Sequence, residues 1–175
     1  MEEKVKINFK TGETVLYRRY GICKVAAIEE RNFFDTEKTY YQLEPVYINK
    51  PTKFFVPADA DDIDLLIRRV LDETQLKNFV SEAKENMLEW IDDSKKRILH
   101  HDELMKTGNV ADHVRLVRLL SRHKRRQRAA GKSFLDCDRR ILMAAEKLVS
   151  DELVYVLGID RSEISDYLLE GLETN

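Results

Sequence analysis

Residues 113–140 read HVRLVRLLSRHKRRQRAAGKSFLDCDRR, and their spacing decides how the C-terminal half folds. At about 100° per residue, an α-helix gathers Arg115, Arg118, Arg122, Arg125 and Arg126 within an arc of roughly 100°. Val110, Val117 and Leu120 fall on a separate arc. The pattern predicts a helix with one face in a core and guanidinium groups in water on the other. Gly131 stops this helix, and Ser133 with Asp136 forms an S-x-x-D capping signature for the next. Ten residues of the stretch are Lys or Arg and only Asp136 and Asp138 are acidic, although the whole chain has a net charge of −2. Guanidinium forks match phosphate oxygens, so a polyanion is the partner this block predicts. The plainer alternative is a solvated charged face with no partner.

Working outward, charge is segregated along the chain. Residues 59–93 carry eleven acids against four bases, and residues 151–175 carry seven acids against Arg161 alone. The basic block therefore sits between segments that nucleic acid would repel, as expected of a nucleic-acid surface with acidic flanks. The flanks also read as helical. Leu76, Phe79, Val80 and Ala83 predict a helix over 73–87. A third helix is expected over 92–106, with Gly108 ending it and Asn109 capping the basic helix. Ile141, Leu142, Ala145, Leu148, Val149, Leu153 and Val156 give the fifth helix a continuous apolar stripe that Gly158 ends. An acidic amphipathic helix over 162–172 closes the series, and 62–71 reads as a short acidic helix or a turn with an extended start.

Residues 7–57 follow a different rule. Ile7 and Phe9 precede a Thr11-Gly12 turn, and Thr14 to Tyr17, Ile22 to Ile28, Thr39 to Leu43 and Lys53 to Val56 are rich in β formers. Gly21, Asp35 with Thr36, and Asn49 to Thr52 supply the turns. Five short strands with no helix between them predict a small antiparallel barrel or strongly bent sheet. The fold class is thus α+β in two parts: a small antiparallel β-barrel over 1–58 and an all-helical domain over 59–175.

Composition narrows the function. At 43% hydrophobic residues the chain can bury real cores, and no apolar run approaches the ~20 residues of a membrane span. The first ten residues lack an apolar signal core, so the protein is expected to be cytoplasmic. Cys23 and Cys137 lie in differently patterned regions and form no C-x-x-C pair, so neither a disulfide nor a metal site is expected. His100, His101, His113 and His123 form no H-x-x-x-H or H-E-x-x-H pair, and no phosphate-binding loop or G-x-S-x-G is present. The chain is read as a non-enzyme without cofactor.

Two sets of motifs then carry a resemblance. Phe9-x-x-Gly12-Glu13-x-Val15-x-Tyr17-x-x-x-Gly21-x-x-x-Val25-x-x-Ile28, with Tyr40-Tyr41-x-Leu43 and Phe55-Val56-Pro57, resembles the opening of the CarD (CdnL) family of bacterial transcription regulators. Trp90, Gly108-Asn109, Val114-x-x-Val117-Arg118-x-Leu120 and Ala145-x-x-Leu148-x-x-x-Glu152-Leu153 follow in the same family's order. The resemblance implies a Tudor-like domain that binds the RNA polymerase β subunit by strand pairing, then a helical domain on promoter DNA at the upstream edge of the transcription bubble. It places Arg31 at a polymerase-contacting position, with Tyr40, Phe54 and Phe55 beside it; Phe55 stands where many members carry a second arginine. It places Trp90 as a minor-groove wedge and Arg139 at a DNA-contacting position, with Arg122 and Lys124 in the helix facing the backbone. Arg97, Arg115, Arg118, Arg125, Arg126, Lys132 and Arg140 complete the expected DNA surface. Glu89, Asp92 and Asp93 depart from the family's pattern around Trp90, and a lone tryptophan is equally a routine core residue.

The function expected is a monomeric transcription regulator that grips polymerase with one part and promoter DNA, largely without sequence readout, with the other. It would be nucleoid-associated through polymerase and would stabilise the open complex. A protein adaptor whose basic helices hold an acidic protein is the rival from another class. An RNA-binding factor is the third reading.

Overall fold

The computed structural model describes residues 8–18, 20–33 and 36–170. Ile7, Asp35 and the end of the expected last helix at Leu172 lie outside them. The order is β1 (Thr14–Tyr17), β2 (Gly21–Phe33), β3 (Thr36–Pro45), β4 (Phe54–Pro57), α1 (Ile63–Leu66), β5 (Ile67–Arg69), then α2 (Glu73–Glu85), α3 (Ser94–Lys106), α4 (Val110–Ala129), α5 (Asp136–Leu157) and α6 (Ile164–Glu170). The chain divides into two compact units at Val70–Leu71, later than the 58/59 boundary read from the change of periodicity.

The later boundary has a simple cause. The acidic segment after Pro57 makes one helical turn, α1, and then returns to the sheet as β5, paired antiparallel with β1 through Val15–Arg69 and Tyr17–Ile67. Among the described residues the fifth strand is 67–69, while 8–11 before Gly12 are not strand. All pairs are antiparallel and the order is β4-β3-β2-β1-β5, so β4 and β5 are the edges. The runs of β formers supply the core of this unit. Cys23 and Val25 of β2, Tyr41 and Leu43 of β3, and Val56 of β4 are buried with Phe9, Val15, Ile63 and Ile67. A bulge between Val25 and Ala27 shifts the β2–β3 register, and the hairpin then runs on to Phe33–Thr36.

In the second unit, caps set the helix starts. Asp72 and Gln75 form a reciprocal capping box on α2, Asp93 accepts from Lys96 N on α3, and Asn109 accepts from Ala111 N on α4. The expected Ser133 cap is not used. Leu135 holds the N-cap position of α5 without a side-chain bond, and Asp136 and Asp138 instead place negative charge in its first turn. Gly158 ends α5 in the left-handed conformation, φ 66°. The core joins Leu76, Val80 and Ala83 of α2, Val114, Leu116, Val117 and Leu120 of α4, Ile141, Leu142, Ala145, Val149 and Leu153 of α5, and Ile164 and Leu168 of α6. Fully buried leucines such as Leu116, Leu120 and Leu153 each contribute about 1.5–3 kcal/mol by leaving water.

Helix α4 is the axis of this unit: α2, α3, α5 and α6 all pack on it. This overturns the expected division of α4 into an apolar face and an arginine face. Residues from Val110 to Ser121 are buried nearly all round, and only the last two turns emerge. Its basic residues are therefore sorted along the helix, not around it. Cys23 lies buried in the sheet unit and Cys137 half-buried in the helical one.

Candidate nucleic-acid interface

Sorting along α4 splits the expected DNA contacts. Arg118 is 4% exposed and donates to the Leu168 carbonyl at 2.9 Å, so it ties α6 to α4 and is not a phosphate contact. Arg115 spans Asp112 at 2.8 Å and Glu82 at 2.9 Å, which neutralise it. Arg97 is 2% exposed and belongs to the interior. These three leave the DNA surface. Arg122 is half-buried, with Nη1 3.3 Å from the Met87 sulfur.

The other cations gather at one end of the α4–α5 hairpin. Lys124, Arg125, Arg126 and Arg128 are exposed on the last turns of α4, Lys132 is in the connector, and Arg139 and Arg140 are on the first turn of α5. Arg128 lies outside the arginine arc read from the sequence, yet it joins this group. Two of the group have loose acidic neighbours, Arg125 with Asp166 at 3.6 Å and Arg139 with Asp136 at 3.5 Å. Such exposed pairs are worth under about 1 kcal/mol, and phosphate can replace them. The patch stays cationic.

Trp90 sits beside this end and is half-buried. Its ring stacks on the His123 imidazole of α4, centroids 3.5 Å apart and planes 9° from parallel. The Arg97 guanidinium carbon lies 4.3 Å from the indole centroid. Groups this close cannot share one face, so the indole is sandwiched and only its rim is open. Burial, reinforced by Arg97 and Arg126 and opposed by Asp138 and Asp92, lowers the His123 pKa and favours the neutral ring that stacks here. His123 also lies 3.1 Å from Gln127 Nε2 and 6.2 Å from the Phe134 ring centre. Asp93, one of the acids that depart from the family's pattern around Trp90, is occupied as the cap of α3. Sequence reading missed His123 and Asp138. His123 lies one turn before Gln127 on α4, a spacing that would have flagged only a helix neighbour. For Asp138 there was no signal, since its partner is Arg97, 41 residues away.

On the sheet unit the expected polymerase contacts fall into two groups. Arg31 lies over the Phe55 ring at 4.1 Å and bonds Glu29 at 2.8 Å; Phe33 joins Phe55 and Tyr40 at centroid distances of 6.1 and 5.1 Å. Phe54 instead stacks on Tyr20 at 4.0 Å, with Tyr17 at 5.5 Å. Tyr17, Tyr20, Phe33, Tyr40, Phe54 and Phe55 line a shallow aromatic depression along edge strand β4. Tyr17 belongs to the motif that carries the resemblance but was not assigned to this surface, and Tyr20 and Phe33 read in sequence as ordinary aromatics.

No group of three or more His, Cys, Asp or Glu able to hold a metal occurs among the described residues. No helix among them is long and apolar enough to cross a membrane.

Comparison with known proteins follows the same division. The family pattern described as "CarD-like/TRCF RID domain" matches residues 9–71, and that described as "CarD, C-terminal domain" matches residues 76–169. A Bacillus subtilis (strain 168) protein named "Putative transcription factor YdeB" is 25% identical over 163 residues, covering 91% of this chain and 99% of that protein. The two patterns fall one on each compact unit, in the same order, and between them span nearly all of the described sheet, caps and helices. A sheet unit that matches the first pattern and a helical unit that matches the second place the chain in the CarD family, whose members are of the transcription-factor type.

Proposed function

We propose that this protein regulates transcription by holding RNA polymerase and promoter DNA at once. The sheet unit docks on the polymerase β subunit along edge strand β4. Its backbone groups offer a ladder for strand addition, and the aromatic depression beside it supplies apolar area. The hairpin end of the helical unit lies along promoter DNA at the upstream edge of the bubble. Its side chains are lysines and arginines suited to phosphate, and few groups there can read a base edge, so binding is largely independent of sequence. Contact that is tighter in the open complex than in the closed one favours the open state by that difference.

The observation that carries this reading is the exposed cation cluster of α4 and α5 with Trp90 next to it. The test is open-complex lifetime on one promoter with the full chain, with Trp90→Ala, and with Arg125 and Arg126 both changed to Ala. Both variants should shorten the lifetime. If the parent lengthens it and neither variant differs from the parent, the bubble-stabilising mechanism is wrong.

A further inference from the structure

The segment 86–93 joins α2 to α3 without regular structure, and it carries the one tryptophan of the chain. No ladder of backbone bonds fixes such a segment. Arg97, in the first turn of α3, reaches back to do so. Its Nη1 donates to the carbonyls of Ile91 at 2.8 Å and Asp92 at 3.2 Å. Its Nε and Nη2 donate to the two carboxylate oxygens of Asp138 on α5, at 3.0 and 2.9 Å. The side chains of the pair are 2% and 1% exposed. With its edges used in this way, the guanidinium has only a face left, and Trp90 lies against it.

We propose that Arg97 and Asp138 are positioning residues for Trp90: a buried ion pair that fixes the indole at the cationic end of the α4–α5 hairpin. A buried pair is a poor means of adding stability, because apolar side chains of the same volume serve as well or better. What a bidentate Arg–carboxylate pair supplies is direction. Here it ties three elements to one point. Segment 86–93 is held through its carbonyls, α5 through Asp138, and the indole is pressed toward His123 on α4. A group held in place before binding loses less freedom when DNA arrives. The proposal rests on the reading of Trp90 as a DNA-contacting group.

The test uses the full chain, as parent, Trp90→Ala, Asp138→Asn and Arg97→Lys. Fluorescence anisotropy measures binding to a fully paired duplex and to the same duplex with a mismatched, premelted stretch. Acrylamide quenching of Trp90 emission, unique in the chain, reports how firmly the indole is held. The parent should prefer the premelted duplex. Asp138→Asn and Arg97→Lys should lose roughly two- to tenfold of that preference, the range for immobilising one side chain on binding. Both should also quench more readily, while paired-duplex affinity and its salt dependence stay as in the parent, since the exposed cations are untouched. Parental preference together with parental quenching in both variants overturns the positioning role. Parallel loss of paired-duplex binding and helical signal in both variants assigns the pair to general folding and also overturns it. If Trp90→Ala keeps the preference, it is the reading of Trp90 on DNA that fails, and the quenching data alone then decide whether the pair positions the indole.

Discussion

Removing a charge from the wrong arginine should leave DNA binding unchanged, and this separates the structural reading from a count of cations. Each phosphate neutralised contributes about −0.9 to the slope of log K against log salt. Seven cations are exposed at the hairpin end: Lys124, Arg125, Arg126, Arg128, Lys132, Arg139 and Arg140. They set a ceiling near −6, so raising salt from about 50 to about 200 mM weakens binding by at most three to four powers of ten. Arg126→Ala should reduce the slope by about 0.9 and weaken binding to every duplex alike. Arg115→Gln should leave the slope as it was. Its side chain is 14% exposed and already shared between Glu82 and Asp112, so it releases no counterion when DNA binds. The assay is an anisotropy titration of one labelled duplex at several salt concentrations. Equal slope changes for the two variants, or a parent slope shallower than about −2, would refute the placement of the interface.

Four further outcomes follow from the same geometry. His101 is fully buried, neither ring nitrogen finds a partner among the described residues, and burial pushes its pKa down to about 4. The unfolded chain then takes the proton first, so up to about 3 kcal/mol of stability present above pH 6.5 should be lost as pH falls toward 4, and urea melts of His101→Leu should lack that slope. Asp138→Ala strands the Arg97 cation in the interior and should cost about 3–5 kcal/mol by urea denaturation, whereas Arg97→Met combined with Asp138→Leu should recover most of it. Gly158→Ala forces a side chain into the left-handed region at φ 66° and should cost about 1–2 kcal/mol, read as a lower urea midpoint. Phe54→Ala with Phe55→Ala should weaken capture of RNA polymerase by the immobilised full chain by roughly thirtyfold, about 2 kcal/mol, the scale of a small set of aromatic anchors.

Element types were largely legible in the sequence, because they depend on local rules. Runs of β formers marked the strands that bury Cys23, Val25, Tyr41 and Leu43, and Asn109 and Gly158 bounded their helices as capping chemistry requires. What failed depended on partners distant in the chain. Ile67 to Arg69 becomes a strand only because β1 has an open edge to receive it, so the boundary moved past α1. Arg97 and Arg118 look like any surface arginine in sequence. They are buried because Asp138 and the Leu168 carbonyl, 41 and 50 residues away, satisfy them. An angular plot of α4 carries no record of how many neighbours surround it, and four of them turn an apparent two-faced helix into an axis with an exposed tip.

That exposed tip suits a tethered contact better than a free one. A non-specific surface of this kind binds DNA with a Kd of about 10⁻⁴–10⁻⁶ M at physiological salt. Held near DNA by the other unit, it would work at an effective concentration of about a millimolar. The ratio is roughly ten to a thousand, so the grip would be mostly filled at physiological salt. Occupancy alone biases nothing, because a grip that is equally filled in closed and open complexes shifts neither. The bias must come from a group that tells paired from unpaired DNA, and a backbone-binding cation does so poorly. Trp90 is suited to the task, with a rim open beside the cations and both faces already held by the protein. A stiff indole resists being pushed aside by an intact base step and fits against a disrupted one. Under the proposed function the cations would set how long the DNA is held, the tryptophan would set which state is held, and Arg97 with Asp138 would keep the two functions at one place.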